Sequence, residues 1–326
     1  MYDEYVLKIV NWLLILTAFW YLGSFSLVRL GDYLFTKDKI TQAQWLYQAS
    51  KRVNPILNVD QRLLATTIAT SYRESESEEA QGQDPSKLTA QEDTSVVLGA
   101  NVTVPVLMYH YIRVNPDPND KVGFNLSVTP VNFAAQMDYL YTHGFHTISL
   151  DQLGTVVLGN GKLPEKPVVI TLDDGYRDSY TQALPILNKY NFKATDFVIT
   201  GLVGGPNYLT WEQIKEMKNS GLFTIGGHTV HHLALTYLSN DNLKKELTDS
   251  KEILETQLGQ KVNWFAYPYG NVDGRVAGAT TKAGYLGAFG TNNGTYQSSS
   301  QMFTLPRIRI GGGDSVMSFA AKLPWH

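Results

Sequence analysis

Cysteine is absent from this sequence of 326 residues. The absence excludes disulfide bonds and thiolate metal sites, so a bound metal ion would have to be held by His, Asp or Glu. A large excess of charge is absent too, since the formal net charge is −3, and we expect no nucleic acid partner. No sequence repeat of about 20–50 residues is visible. The chain contains 43% hydrophobic and 17% charged residues, a composition ordinary for a globular protein with a full core.

Charged residues are missing from residues 9–28, near the N terminus. About 20 helical residues span roughly 30 Å, enough to cross a bilayer, so we expect a retained membrane anchor within residues 1–40. A cleaved signal peptide and a buried core helix are the alternatives, but the run is long for a signal peptide and no small-residue cleavage site follows it. Basic residues are more numerous after the run than before it, which places the C-terminal side in the cytoplasm by the positive-inside rule, although long domains can be translocated against that bias.

Two segments follow the predicted anchor. Residues 41–72 show helical periodicity that Asn54-Pro55 divides in two, and we interpret them as a membrane-proximal helical segment. Residues 73–101 are acidic and poor in large apolar side chains, so they cannot offset the entropy of ordering by burial, and a disordered linker is expected.

From residue 102 to residue 326, apolar strand patterns alternate with helical ones, which indicates a parallel α/β barrel or an open parallel sheet. The predicted strands are Val104–Tyr109, Phe145–Leu150, Val168–Leu172, Ala194–Ile199, Leu222–Gly226, Asn263–Tyr267, Tyr285–Phe289 and Met302–Ile310. In such folds, ligands bind at the carboxyl ends of the strands.

Adjacent carboxylates, Asp173 and Asp174, stand at the end of one predicted strand and are followed by Gly175. A glycine there lets the chain turn and present both side chains. By itself the pattern also fits an Asp-Gly turn with a helix cap.

The histidines of a second candidate cluster, His228 and His232, follow another predicted strand. Their four-residue spacing would place both on one face of a helical turn, with His231 off that face, so that they could hold one metal ion. With Asp174 they would form a His₂Asp site with open positions, and Asp173 could then act as a base toward water. A surface His cluster or a helix cap is the alternative.

Three motifs in order carry a resemblance to a known family: Thr171-Leu-Asp-Asp-Gly175, His228-Thr-Val-His-His232 and Phe265-Ala-Tyr-Pro-Tyr-Gly270. They resemble the first three motifs of the NodB-homology polysaccharide deacetylases, over about residues 104–323. The resemblance implies a distorted (β/α)₇ barrel and a metal-dependent hydrolase that releases acetate from N-acetylated amino-sugar polymers.

The resemblance also implies roles for individual residues. Asp173 would be the general base, and a divalent metal, with Zn²⁺ expected, would be bound by the residues Asp174, His228 and His232. Tyr267 and Pro268 would contact the substrate around the acetate pocket, and the backbone N–H of Tyr269 would donate a hydrogen bond to the oxyanion.

The sequence departs from the family pattern in its third motif. The family has an Arg that orients the base, and here that position is Ala266. We expect another cation to hold Asp173, and Arg307 and Arg309 are the nearest candidates, with a salt bridge at the rim as the alternative for either.

A second departure concerns the general acid. The family takes a His from a C-terminal motif, and here only His326 lies near the end of the chain. We assign the role instead to His110, which closes the first predicted barrel strand; a core His is the alternative. This permuted arrangement is similar to that of poly-β-1,6-N-acetylglucosamine deacetylases and related Gram-positive surface proteins.

Substrate choice remains open in the sequence. Trp211 could stack on a sugar face or pack its own helix. A peptidoglycan N-acetylglucosamine deacetylase, an O-acetyl-xylan esterase and an inactive glycan-binding barrel are the alternatives to poly-N-acetylglucosamine deacetylation. Because such polymers lie outside the cell, we expect a monomeric domain that is extracellular and attached to the cell membrane by residues 9–28.

Overall fold

The computed structural model describes residues 40–53, 101–117 and 119–325, together with Leu27, Leu30 and Leu34. The predicted anchor and acidic linker lie almost wholly outside the described residues. Within those residues, none of the helices combines the length and apolar character needed to cross a membrane. The chain divides into two units, Met1–Leu98 and Gly99–His326.

In the first unit, one helix is described, Ile40–Val53 (α1). Its last residue directly precedes Asn54-Pro55, and helices usually end at or before the residue that precedes a proline. The second helix predicted for residues 41–72 lies outside the described residues.

The second unit alternates strands and helices. Its strands are Val102–Thr103 (β1), Val106–Tyr109 (β2), Tyr111–Ile112 (β3), Ser127–Val128 (β4), His146–Thr147 (β5), Pro167–Asp174 (β6), Ala194–Val198 (β7), Phe223–Gly227 (β8), Trp264–Ala266 (β9), Gly287–Asn293 (β10), Tyr296–Gln297 (β11) and Leu305–Arg309 (β12). Its α-helices are Lys121–Leu126 (α2), Pro130–Thr142 (α3), Leu150–Val157 (α4), Leu184–Tyr190 (α5), Trp211–Asn219 (α6), Asn240–Leu258 (α7), Gly274–Lys282 (α8) and Val316–Ala320 (α9). A π-helical turn, Ser179–Ala183, leads into α5.

Seven parallel strands form a closed ring. The sheet runs in the order β2-β12-β10-β9-β8-β7-β6, and β6 pairs with β2 as well, with Thr171 opposite Met108. The short β5 pairs with the start of β6, where His146 lies opposite Pro167. The ring is a barrel, one of the two arrangements that the sequence pattern indicates, and because its strands are parallel, their carboxyl ends meet at one end of the barrel.

Burial on both faces explains why the barrel strands read as continuous apolar runs rather than alternating ones. All eight residues of β6 are buried. Inside the barrel, Phe197 of β7 packs beside Phe289 of β10, with ring centroids 6.0 Å apart. A Cβ atom at Gly226 would lie 2.4 Å from the Phe197 ring, so only glycine fits there.

The structure shortens one predicted strand. Only His146–Thr147 of the predicted strand Phe145–Leu150 pairs with β6. Ser149 instead caps α4, since its side chain accepts from the backbone of Gln152, whose own side chain accepts from the Ser149 N–H. This capping box ends the strand three residues before the predicted end, at Thr147 rather than Leu150.

Candidate active site

Asp173 and Asp174 are the last residues of β6, at the carboxyl end of the barrel, with exposed fractions of 3% and 5%. Asp174 has φ 81° and Gly175 has φ 72°. The left-handed conformation of a residue other than glycine costs on the order of 1–3 kcal/mol and is often found at functional sites. Here the backbone turn lets the two neighbouring carboxylates meet different partners.

Asp174 faces the two histidines that the sequence singles out. Its Oδ1 lies 3.2 Å from Nε2 of His228 and 3.3 Å from Nε2 of His232. One ligand atom from each of the three residues lies within 4.8 Å of the others. The structure thus brings together the predicted metal ligands.

The hydrogen bonds of this group fit a metal cation. His228 Nδ1 lies 2.7 Å from the carbonyl oxygen of Ala266, so Nδ1 carries the proton and donates, which leaves a lone pair on Nε2. The buried Asp174 Oδ1 lies beside the two Nε2 atoms and has no other hydrogen-bond partner. Lone pairs that converge on one point need a positive charge between them, and two imidazoles with a carboxylate are donors typical of Zn²⁺ or a similar divalent ion.

The two neighbouring histidines keep the Asp174 carboxyl ionised. Burial by itself raises the pKa of this carboxyl, but the facing His228 and His232 rings more than reverse that effect, so the pKa lies well below its ordinary value. Asp174 is therefore an anion over the pH range in which proteins work.

The segment between the two histidines is not the helical turn that their spacing predicts. Residues 228–232 form an irregular loop after β8, in which Thr229 has φ 68° and His232 has φ 57°. The Thr229 hydroxyl oxygen accepts a hydrogen bond from the His232 N–H at 2.9 Å. The prediction of a helical turn is wrong because the loop is shaped by hydrogen bonds to other parts of the barrel.

Asp173 makes a paired contact with Arg307 of β12. The Arg307 Nη1 and Nη2 atoms each donate to one carboxylate oxygen at 2.7 Å. The Arg307 side chain has no exposed surface, whereas Arg309 is exposed. Of the two candidate cations, Arg307 is therefore the one that holds Asp173, in the absence of an Arg at Ala266.

Further contacts fix the Arg307 guanidinium. Its Nε donates to the Gly290 carbonyl oxygen at 3.1 Å, and Nη1 also donates to the Thr171 hydroxyl oxygen at 3.1 Å. Arg307 also lies over the rings of Phe197 and Phe289, at 5.7 and 5.9 Å from their centroids. Buried charges need such partners, because an unpaired one would be strongly destabilising.

The same ion pair sets the protonation of Asp173. Burial raises the pKa of this carboxyl, and the charge and hydrogen bonds of the Arg307 guanidinium, together with smaller effects from His110 and His228, outweigh it. The net pKa of Asp173 lies below its ordinary value. A fixed, ionised carboxylate beside a candidate metal site is suited to accept a proton from water.

His110 directly follows β2 at the same end of the barrel. Burial lowers the pKa of His110, against the opposite effect of the Asp173 and Asp174 charges. Its Nδ1 atom is buried without a hydrogen-bond partner, so it is not a core His whose hydrogen bonds are satisfied. The structure places it close enough to both carboxylates for their charges to act on it.

The third motif forms a short 3₁₀ turn, Pro268–Gly270, after β9. Tyr269 is 62% exposed, and its ring centroid lies 4.7 Å from that of His232. Tyr269 has φ 60° and Gly270 has φ 73°. A Cβ atom at Gly270 would lie 2.0 Å from the Thr291 hydroxyl oxygen, so the sharp turn that presents Tyr269 requires glycine.

The structure corrects the role that the sequence predicts for Tyr267. Its side chain is 1% exposed and belongs to the hydrophobic core, where it packs against Phe265 with ring centroids 5.3 Å apart. A side chain so fully buried has no surface to offer a polysaccharide, and the predicted contact with substrate is wrong. Trp211 begins α6 and packs, half-buried, against the same core, which is the packing alternative.

A stack of tyrosines beside the site was not predicted. Tyr111 stacks on Tyr176 with ring centroids 3.7 Å apart, and Tyr176 lies 5.2 Å from Tyr208. The Arg113 guanidinium lies over the other end of the stack, 3.4 Å from the centroid of Tyr111. Tyr111 directly follows His110, and Tyr176 directly follows the Asp-Asp-Gly turn. Their neighbourhood to candidate site residues in the sequence could have identified both as site residues.

Comparison with known proteins agrees with this geometry. The Polysaccharide deacetylase family profile matches residues 160–288. The Bacillus subtilis protein YxkH, assigned to the polysaccharide deacetylases, is 34% identical over 220 residues, which cover 68% of this chain and 76% of YxkH. A poly-β-1,6-N-acetyl-D-glucosamine N-deacetylase of Staphylococcus aureus is 28% identical over 252 residues, which cover 71% of this chain and 83% of that protein.

A solved structure is similar as well. The Streptococcus pyogenes deacetylase PplD, in complex with acetate, shares 34% identity with this chain at a TM-score of 0.65, and the match covers 69% of this chain and 99% of PplD. Sequence and fold lead to the same assignment. This chain belongs to the polysaccharide deacetylase family, hydrolases that act on N-acetyl amide bonds.

Proposed function

We propose that this chain removes N-acetyl groups from an extracellular amino-sugar polysaccharide, with poly-β-1,6-N-acetylglucosamine as the first substrate to test. The observation that carries the proposal is that two adjacent carboxylates have different partners. Asp173 is held by Arg307, and Asp174 faces two imidazoles. The similarity to the Staphylococcus aureus deacetylase supports this choice of polymer.

Asp174, His228 and His232 would hold a divalent cation, for which we propose Zn²⁺. A bound cation of this kind supplies Lewis acidity, which polarises the acetyl carbonyl and makes water more acidic. The hydrogen bond from His228 to the Ala266 carbonyl keeps the ring turned toward Asp174.

Asp173 accepts a proton from the water molecule that attacks the acetyl carbon. Because Arg307 donates to both of its oxygens, the carboxylate cannot rotate away from this position. The N–H of Tyr269 donates to the carbonyl oxygen as that atom becomes negative, and Pro268 lines the space for the acetyl methyl group.

His110 completes the reaction by giving a proton to the amide nitrogen as the carbon–nitrogen bond breaks. The water oxygen remains on the acetyl carbon, so the products are acetate and a free amino sugar. The amine gains a positive charge near neutral pH, which changes the adhesion of the polymer and its recognition by lytic enzymes.

We also propose that the domain works outside the cell, as a monomer attached to the membrane by residues 9–28. This placement rests on where amino-sugar polymers are found. Protease treatment of intact cells that carry a C-terminal tag tests it: loss of the tag is expected, and a protected tag would contradict the proposed topology.

Acetate release tests the activity itself. The full chain, loaded with Zn²⁺, is incubated with partly acetylated poly-β-1,6-glucosamine and, in parallel, with peptidoglycan and acetylated xylan. Release from the first polymer, abolished by a chelator and by Asp173→Asn, is expected. Release only from peptidoglycan or xylan would change the assigned substrate, and no release from any of them would indicate a glycan-binding barrel.

A further inference from the structure

The loop that carries His232 needs an external support. Thr229 and His232 both have left-handed backbone conformations, and Thr229 is β-branched, for which a positive φ is a genuine outlier. Such conformations persist only where the surrounding structure holds them. The hydrogen bond between the Thr229 hydroxyl and the His232 N–H lies within the loop itself, so it cannot fix the loop relative to the barrel.

Glu246 of α7 supplies such a support. Its Oε2 atom accepts hydrogen bonds from the backbone N–H groups of Val230 and His231, at 2.9 and 3.0 Å. Its Oε1 atom lies 2.6 Å from Nδ1 of the His231 ring. One carboxylate thus binds both residues between Thr229 and His232.

The surroundings of Glu246 indicate that this contact is its main role. The residue is 6% exposed, and among the described residues its ion pair is with His231 rather than with a Lys or Arg. Burial of a carboxylate is costly unless its oxygens are hydrogen-bonded, and here the loop provides those bonds. His231, which the spacing placed off the metal-binding face, serves as a partner of Glu246.

The opposite side of the loop is held by the segment after β7. The N–H groups of Thr200 and Gly201 donate to the carbonyl oxygens of Thr229 and Val230, at 3.1 and 2.9 Å. A Cβ atom at Gly201 would lie 2.4 Å from the Val230 oxygen. The loop therefore lies between these backbone groups and the Glu246 carboxylate. The backbone hydrogen bonds stay in place when a side chain is changed, whereas the contacts of Glu246 can be removed by one substitution.

We propose that Glu246 is a positioning residue that holds His232 in the orientation needed to bind the metal. The inference rests on the metal site proposed above. Partners that orient metal ligands from outside typically change metal affinity by about 10–100-fold when they are lost. We expect a weakening at the lower end of that range, since Glu246 acts through the backbone next to the ligand.

The test measures Zn²⁺ affinity directly. Metal-free full-length protein is titrated with Zn²⁺ against a chromogenic chelator, and thermal unfolding of the metal-free form is recorded alongside. Glu246→Ala is expected to weaken Zn²⁺ binding at least about tenfold. Glu246→Gln is expected to restore most of it, because an amide oxygen can still accept from both backbone N–H groups.

A control on the same helix separates positioning from stability. Leu254 is fully buried on α7, about two turns after Glu246, so Leu254→Ala should lower the unfolding temperature and leave Zn²⁺ affinity unchanged. Equal Zn²⁺ affinity in Glu246→Ala and the unmodified protein would overturn the inference. Absence of Zn²⁺ binding in the unmodified protein would instead contradict the proposed metal site.

Discussion

Arg307 and Asp173 are 134 positions apart in the sequence and meet through two hydrogen bonds of 2.7 Å inside the barrel. The pair takes the place of the Arg that the family motif would lead one to expect at Ala266. It brings a cation from β12 across the barrel to β6, so the base is oriented from a different strand.

Loss of Arg307 should change the pH dependence of activity. With Arg307 present, the pKa of Asp173 lies below its ordinary value, so this group stays ionised through the range in which a free carboxyl titrates and causes no loss of activity there. In Arg307→Met, the largest effect that opposes the burial of Asp173 is lost, so the pKa of Asp173 should rise and an acid limb should appear at higher pH in the profile of kcat/KM. Arg309→Ala is the control, and an identical profile in both variants would show that Arg307 does not tune Asp173.

The two adjacent carboxylates should respond differently to the same change. Asp173→Asn is expected to abolish acetate release while Zn²⁺ remains bound, because Asp173 contacts Arg307 and not the two histidines. Asp174→Asn should lose most of the bound Zn²⁺, because this residue supplies the oxygen ligand. Metal analysis of both purified variants checks the assignment, and the reverse pattern would mean that the roles are exchanged.

His110→Ala should reduce kcat by about 10²–10⁴-fold, the usual contribution of a general acid, with little effect on the unfolding temperature. His143→Ala provides the matched control, since His143 is exposed at the end of α3 and precedes β5 at the other end of the barrel. Steady-state kinetics and thermal unfolding give the comparison. Unchanged kinetics in His110→Ala would exclude it as the acid.

Addition of Zn²⁺ should stabilise the metal-free protein. A ligand that binds only the folded state raises the free energy of unfolding by about 2.7 kcal/mol at a concentration 100 times its Kd. Calorimetry with and without Zn²⁺ measures the effect. His232→Ala should remove most of it, whereas an equal shift in that variant would place the bound ion elsewhere.

Asp196 should make the protein less stable as the pH rises. Burial, assisted by nearby carboxylates, raises the pKa of Asp196 to about 8 in the folded state. Between pH 4 and pH 8 the folded state therefore binds more protons than the unfolded state, and the free energy of unfolding falls as pH increases, by on the order of a few kcal/mol.

Asp196→Asn tests this pH dependence. The gain in unfolding temperature over the unmodified protein should grow from pH 5 to pH 8. Asp249→Asn, at an exposed position of α7, is the control. A difference that does not depend on pH would show that Asp196 does not ionise in this range.

The alternation of strands with helices, and the strand ends where the candidate site lies, could be predicted, because apolar runs that stop at polar residues mark the carboxyl ends of buried strands. Asp173, Asp174 and His110 all follow this rule. The loop after β8 could not be predicted in the same way. A spacing of four fits a helical turn equally well, and the shape depends on Glu246, which lies 16 positions after Val230.

Two side-chain positions show what spacing alone leaves undecided. Arg307 and Arg309 share one face of β12, so alternation could not choose between them; Arg307 lies within the barrel, and Arg309 lies at the last residue of the strand. Tyr267 shares a face with Phe265, which packs toward the core, and that register turns it away from the site.

The closure of the barrel has a consequence for shortened forms of the enzyme. β12 lies between β10 and β2 in the ring, and it also carries Arg307. A chain that stops before residue 305 would keep both carboxylates and both imidazoles, yet it would have a gap in the sheet and an unpaired buried Asp173. Acetate release should therefore require a chain that extends through β12, because this strand both closes the sheet and carries the cation that holds the base.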